Sequence, residues 1–335
     1  MHVRTATETW TGTDPRADDA ATRSFLGRAP RLRGTPLPAQ LGPYRVLALL
    51  GEGGMARVYL AEHTVMGRRV AIKRLLPALA RHPEAHALFL REARIAGSVR
   101  HPNLVDVYDF GLALDGSPYY VMELATGETL ARRLARGPLL LSQCLDTGVV
   151  LADAVAAVHA AGYVHRDIKA ENVVLARHER RLVPKLIDFG IAHRLDPTVA
   201  DPGAPAPGVC GTPRTMAPEQ VALDPIDERT DVWALGVLLY EMISARLPFA
   251  AGASMRDELL AIVTEPPRPL PAGVDPALAE IIDACLRKEP GERPASAGAL
   301  ADRLRAAQAS HRDRQGLVVR DGERERRHGG AAVAA

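Results

Sequence analysis

Apolar positions along the chain follow two periods, and the change from one to the other divides it. Between residues 44 and 123 they come in short β-branched or aromatic runs: "YRVLALL", "RVYLAEH", "RRVAIKRL", "LVDVYDFGLAL" and "PYYVMEL". Turn signals at Met66-Gly67 and Asp115-Gly116-Ser117 separate the runs, and the pattern predicts β-strands joined as hairpins. One helical stretch interrupts them, "PEAHALFLREARIAGSVR", where Phe89, Glu92, Ala93 and Ala96 recur on one face. From about residue 128 helical patterns dominate. "SQCLDTGVVLADAVAAVHAAG" predicts a helix with Ser142 as its cap and Gly162 as its stop. "RTDVWALGVLLYEMISA" is apolar nearly all round, which predicts a buried helix. "DPALAEIIDACLRK" and "SAGALADRLRAAQ" predict amphipathic helices. The expectation is an α+β chain: a small strand-rich lobe over about 41–124, then a larger, mostly helical lobe over about 125–310, joined near "VMELATGE". No internal repeat is evident.

The two ends have a different texture. Residues 1–40 read as a disordered leader; "RAPRLRGTPLPAQLGP", which runs from residue 28 to 43, carries four prolines and little periodicity. Residues 311–335, from "HRDRQGLVVR" to the Gly/Ala-rich end, read as a charged flexible tail. Its arginines are candidates to touch an acidic partner; the plainer reading is a solvated charge run. With 47% hydrophobic and 24% charged residues among 335, the composition permits a sizeable core. A formal net charge of +2 carries no signature of nucleic-acid or membrane binding. Cys144, Cys210 and Cys285 are scattered, which excludes a disulfide framework and fits a reducing compartment, hence a cytoplasmic expectation. The first twenty residues lack the apolar segment of a secretory signal, and no unbroken run of about 18 apolar residues suggests a membrane span.

The candidate chemistry starts at "GEGGMARVYLAEH", residues 51 to 63, where three glycines fall in four positions. A P-loop would need a following Lys-Ser/Thr, and a dinucleotide fold would need a following helix. A strand follows instead. That leaves an ordinary hairpin turn, or a glycine-tipped hairpin lying over phosphates with its N–H groups facing the oxygens. Lys73 lies in the strand run "VAIK", and Glu92 lies on the apolar face of the only small-lobe helix. A carboxylate on a buried face needs a partner, and Lys73 is the obvious one. In the second lobe, "YVHRDIKAENVVL" places Asp167 and Asn172 five apart, and "KLIDFG" adds Asp188 about twenty residues on. Two carboxylates and an amide oxygen suit magnesium. His165 reads as a core histidine.

With "HPN" at 101–103, "APE" at 217–219, "DVWALG" at 231–236 and "RP" at 293–294, the chain from about Tyr44 to Ala309 resembles the bacterial, eukaryotic-like Ser/Thr protein kinases. The resemblance implies a bilobal kinase fold with an antiparallel small lobe. It implies ATP and Mg²⁺ as cofactors and protein serine or threonine as substrate. By similarity Gly51, Glu52, Gly53, Gly54 and Val58 cover ATP, and Ala71 lines the adenine pocket. Met122 stands at the back of that pocket, and the main chain of Glu123 and Ala125 bonds adenine. Lys73 holds phosphates and pairs with Glu92. Asp167 handles the substrate hydroxyl, Lys169 the γ-phosphate, and Asn172 and Asp188 the metal. Thr212 contacts Asp167 and Lys169, Glu219 pairs with Arg293, and Asp231 anchors the catalytic loop. A pseudokinase scaffold is the alternative reading; a kinase-like small-molecule phosphotransferase is a third, against which the "APE" and "DVWALG" features stand.

Three positions depart from the family pattern, and a fourth departure concerns the segment before Thr212. Ala56 replaces the third lid glycine and is expected to stiffen the lid by disfavouring φ > 0. Ala170 replaces a usual proline. Thr215 stands where an aromatic residue is common, so the substrate groove is expected to differ. Arg166 precedes Asp167, as in kinases activated by a loop phosphate, yet Thr198 is the only hydroxyl between Ile191 and Gly211. Activation is therefore expected to need no phosphate close to Thr212, with Thr198 or a carboxylate such as Asp201 serving. Cys210 reads as inert, and His82 and His86 lack the further ligands of a metal site.

Overall fold

A computed structural model describes residues 37–178, 181–189, 192–195, 212–249, 252 and 254–329. Thr198, Asp201, Cys210 and the leader up to residue 36 lie outside them.

The small lobe is one six-stranded antiparallel sheet. Its strands are β1 (Gln40–Leu41), β2 (Tyr44–Glu52), β3 (Ala56–His63), β4 (Arg69–Leu75), β5 (Val107–Leu112) and β6 (Pro118–Met122), in the order β1-β2-β3-β4-β6-β5. Period-two alternation sorts its side chains. Val70 and Ile72 of β4 join Leu41, Tyr44, Tyr59 and Tyr119 in one core. Ala71 and Leu75 face the other way and pack with Phe89 and Ala93 of helix α1 (Pro83–Ser98). Lys73 shares the parity of Ala71 and Leu75, so the pleat aims it at α1.

The second lobe begins with β7 (Gly127–Thr129), α2 (Leu130–Leu134), α3 (Leu141–Ala160) and β8 (Tyr163–Val164), followed by the hairpin β9 (Val173–His178) and β10 (Arg181–Leu186), and β11 (His193–Arg194). β7 pairs with β9, and β11 with β8. Then come α4 (Pro218–Ala222), α5 (Arg229–Ser244), α6 (Met255–Thr264), α7 (Pro276–Cys285) and α8 (Ala297–Gly329). Helix α5 is buried along most of its length, as its all-round apolar pattern predicts, and α3, α7 and α8 pack around it. Helix α3 meets the length and composition of a membrane span, with mean hydropathy 1.4 over its window, yet 56% of that window is buried inside the lobe. It is a core helix, missed by a scan for unbroken apolar runs.

Helix starts follow local chemistry. Asp275 accepts from the Ala277 N–H at 3.0 Å and Ser296 from the Ala299 N–H at 3.1 Å. The expected Ser142 cap is wrong: α3 begins at Leu141, and Gln143 Oε1 accepts the Leu140 N–H at 3.3 Å. Gly162 does end that helix, with φ +85° just beyond it. The stretch 311–329, expected as a flexible tail, continues α8 as helix. It contains no proline, and Arg, Gln and Glu are good helix formers. Two of its arginines, Arg312 and Arg314, pair with Asp146 and Asp275 of this same chain.

The lobes are stitched where "HPN" lies. Asn103 Nδ2 donates to the Pro184 carbonyl at 2.8 Å, and Leu186 N–H to the Asn103 carbonyl at 2.8 Å. Val105 N–H donates to the Leu186 carbonyl at 3.1 Å, which ties β10 to the segment leading into β5.

Candidate active site

Lys73 lies on β4, opposite Val58 on one side and Tyr120 on the other. Its ammonium donates to Glu92 Oε1 and, at 3.2 Å, to Asp188 Oδ1. Glu92 lies on the buried face of α1, and Asp188 just beyond β10. One cation thus joins the sheet, the helix and the second lobe. Burial alone would lower the Lys73 pKa; the facing Glu92, Tyr120 and Asp188 outweigh it and hold the group well above its ordinary value. Burial pushes the Glu92 carboxyl up, against the pull of Lys73.

A second cluster forms on the loop between β8 and β9. Lys169 Nζ donates to both Asp167 oxygens, at 2.8 and 2.7 Å, and to Thr212 Oγ1 at 2.5 Å. The Thr212 hydroxyl donates to Asp167 Oδ1 at 3.0 Å. Asn172 Nδ2 donates to the Asp167 carbonyl at 2.9 Å and to Oδ2 at 2.8 Å. The Ile187 N–H donates to the Asn172 carbonyl at 3.0 Å, which sets Asp188 beside this loop.

The loop is held from below. Asp231 of α5 is fully buried and accepts from His165 N–H at 2.7 Å, Arg166 N–H at 2.8 Å and His159 Nε2 at 2.8 Å. Burial would raise its pKa; the bonds and charges of His159 and His165 reverse this and hold the carboxyl low. Arg166 takes φ +65°, a conformation costing a side-chain-bearing residue about 1–2 kcal/mol, and Asp231 secures it. His165 is a core residue, its ring 5.1 Å from that of Phe189, and burial lowers its pKa. Glu219 and Arg293 form a buried two-pronged pair at 2.7 and 2.8 Å.

The glycine-tipped hairpin joins β2 to β3, and the Gly53 N–H closes the turn on the Ala56 carbonyl at 2.9 Å. The Glu52 carboxylate accepts from Arg57 at 3.1 Å. Ala56 does not act as expected. It starts a strand, outside the positive-φ region, and its methyl is buried with Ala71, Leu75 and Phe89, so it fills the core beneath the lid. Ala71 and Met122 are register partners, both buried, and Val58 packs beside them. At the joint, the Glu123 N–H donates to Asp106 and its carboxylate accepts from Lys185 at 2.7 Å; Ala125 follows, half-buried. Thr215 turns inward, its hydroxyl bonded to the Thr212 carbonyl at 3.2 Å. Among the described residues no group of three or more His, Cys, Asp or Glu side chains is arranged for a metal.

Sequence reasoning missed Tyr120. Its hydroxyl donates to Glu92 Oε1 at 2.7 Å. The available signal was parity: Tyr120 and Met122 alternate onto the same face of the sheet as their register partners Lys73 and Ala71.

Residues 44–304 match the family described as "Protein kinase domain". The chain is 37% identical over 277 residues to serine/threonine-protein kinase pkn3 of Myxococcus xanthus, covering 80% of this chain and 50% of the relative. It is 37% identical to Pkn1 of the same organism, over 87% of this chain and 41% of the relative. It is also 37% identical to PknA of Mycobacterium tuberculosis, over 81% and 62%. The chain thus spans about half the length of the curated relatives it matches.

Proposed function

The chain belongs to the protein kinase family, and on that premise we propose that it transfers the γ-phosphoryl group of Mg-ATP to serine or threonine hydroxyls of proteins. The observation that carries the reading is the meeting of Lys73, from the sheet, with Asp188, from the second lobe, at 3.2 Å. The kinase unit is residues 41–310.

The site suits a nucleotide. None of the three lid glycines has positive φ. A Cβ built at Gly51 or Gly54 meets nothing within 4 Å, and one at Gly53 meets only the Ala56 carbonyl at 3.7 Å. Neither backbone conformation nor internal packing asks for glycine here. The missing side chains spare the space above the hairpin, where main-chain N–H groups would approach phosphate oxygens. Val58, Ala71 and Met122 supply an apolar wall for adenine, and the Glu123 carbonyl and Ala125 N–H its hydrogen bonds. Asn172 commits its amide N–H groups to Asp167, which leaves its oxygen, with the Asp188 carboxylate, as a donor set suited to Mg²⁺. Mg²⁺ held there would neutralise the charge that builds on the transferring phosphoryl.

The protein's own groups then divide the work. Lys73 binds the α- and β-phosphates, and Glu92 keeps its ammonium charged and aimed. Asp167 orients the substrate hydroxyl and accepts its proton. Lys169 sits on Asp167 and steadies the γ-phosphate, and Thr212 fixes both. This is catalysis by positioning and electrostatics. The serine/threonine class is supported by the names of the relatives and by the Lys169–Thr212 contact. A cytoplasmic site of action is supported by Cys144 and Cys285, which are free and buried thiols.

Lys73→Met and Asp188→Ala each lower phosphoryl transfer by about 10²–10³-fold or more, read with labelled ATP in autophosphorylation and peptide assays. Wild-type rates in either variant, with the fold intact, overturn the assignment. A wild-type protein that binds Mg-ATP without transfer is instead a scaffold.

A further inference from the structure

Glu92 accepts two hydrogen bonds on one oxygen. Lys73 and Tyr120 both donate to Oε1, Tyr120 at 2.7 Å. Glu92 and Tyr120 are each only 2% exposed. Tyr120 is the cross-strand register partner of Lys73, and its ring lies 5.3 Å from that of Phe89, one turn before Glu92 on α1. Three elements therefore close a triangle: β4 supplies the cation, α1 the carboxylate and β6 the phenol.

Lys73 divides its charge between Glu92 and Asp188. The Glu92 carboxylate, removed from water, is left short of donors by that division. A phenol makes up the deficit without adding charge. A second cation at this point would compete for Asp188; an aliphatic residue would leave Glu92 with one donor fewer. Resting on the kinase reading of Lys73 and Glu92, we infer that Tyr120 is a positioning residue, whose hydroxyl anchors Glu92 to the sheet and thereby locks helix α1 and Lys73 in the phosphate-holding arrangement. The fastening is built into β6, so the arrangement is held in the resting chain by more than the Lys73 ion pair.

Tyr120→Phe keeps the ring on Phe89 and removes only the donor. The expected result is a fall in kcat of about tenfold, the loss of one hydrogen bond to a charged group, with the KM for a peptide substrate unchanged. Amide exchange in residues 83–98 quickens, while exchange in 141–160 does not. The decisive comparison is in a Glu92→Leu background, where no acceptor remains. There Tyr120→Phe leaves exchange of α1 unchanged or slows it, because the hydroxyl has become an unpaired buried donor. Equal effects of Tyr120→Phe in both backgrounds, or none in either, overturn the inference. The exchange measurements need no turnover, so they decide it by themselves. Lys73→Met with wild-type activity would instead sink the kinase reading; an inactive Lys73→Met beside an unaltered Tyr120→Phe sinks only the role of Tyr120.

Discussion

Burial pushes the Glu241 carboxyl from 4.5 up to about 7, and the facing Glu171 adds to the shift. The folded chain thus binds this proton more tightly than the unfolded one. The stability it lends is complete below about 4.5 and is lost as pH rises through about 7. Glu241→Gln removes that dependence. Its melting temperature should match wild type at about pH 4 and exceed it at about pH 8 by roughly 2–4 °C for each kcal/mol relieved. Thermal scans at the two pH values check this; the same difference at both would refute it. Ala56 carries a further lesson at this scale. Aligned as a missing glycine it looks like a stiffened lid, yet its methyl sits in the core beneath. Its parity in β3, not its place in a motif, decides what it does.

Elements are braced to one another by a few buried polar groups. Arg293 donates to both Glu219 oxygens and to the carbonyls of Arg229, Arg287 and Lys288, while Thr230 donates to Glu219 at 2.9 Å. This ties α4 to the start of α5 and to the chain before α8. The Arg293 side chain is fully buried and Glu219 is 5% exposed, so breaking the pair strands a charge. Arg293→Met should lower unfolding free energy by about 3–5 kcal/mol, read as a lower urea midpoint with an unchanged slope. Pairing it with Glu219→Leu should recover much of the loss, because replacing a whole buried ion pair by apolar groups is close to neutral. No recovery would mean that the brace acts through the three carbonyls instead.

Across the whole molecule, the two lobes meet through backbone bonds around Leu186 and through the side-chain contacts of Asn103 with Pro184, Lys73 with Asp188 and Lys185 with Glu123. Asn103 is 8% exposed, and its amide satisfies the Pro184 carbonyl. Asn103→Ala leaves that oxygen without its partner, which should cost about 1–3 kcal/mol of stability. It should also speed amide exchange around residues 103–107 and 184–188, where the lobes join. Wild-type protection at both segments would show that the backbone bonds suffice.

The division into a strand lobe and a helical lobe is legible along the chain, because periods of 2 and 3.6 are written in consecutive residues. The sequence also marks the candidate site, because the motifs keep their order and spacing in "VAIK", "HRDIKAEN" and "DFG". Simple electrostatics pairs Lys73 with Glu92 from the sequence: a carboxylate on a buried face needs a cation. What the sequence left open depends on contacts between residues far apart in the chain. Tyr120 looked like any strand aromatic until β6 came to lie beside β4 and under α1. The helical run to Gly329 was hidden by composition, since charge reads as flexibility until Arg312 and Arg314 find Asp146 and Asp275. Local pattern fixes which face a side chain takes; only the packed structure decides what stands on the other side of that face.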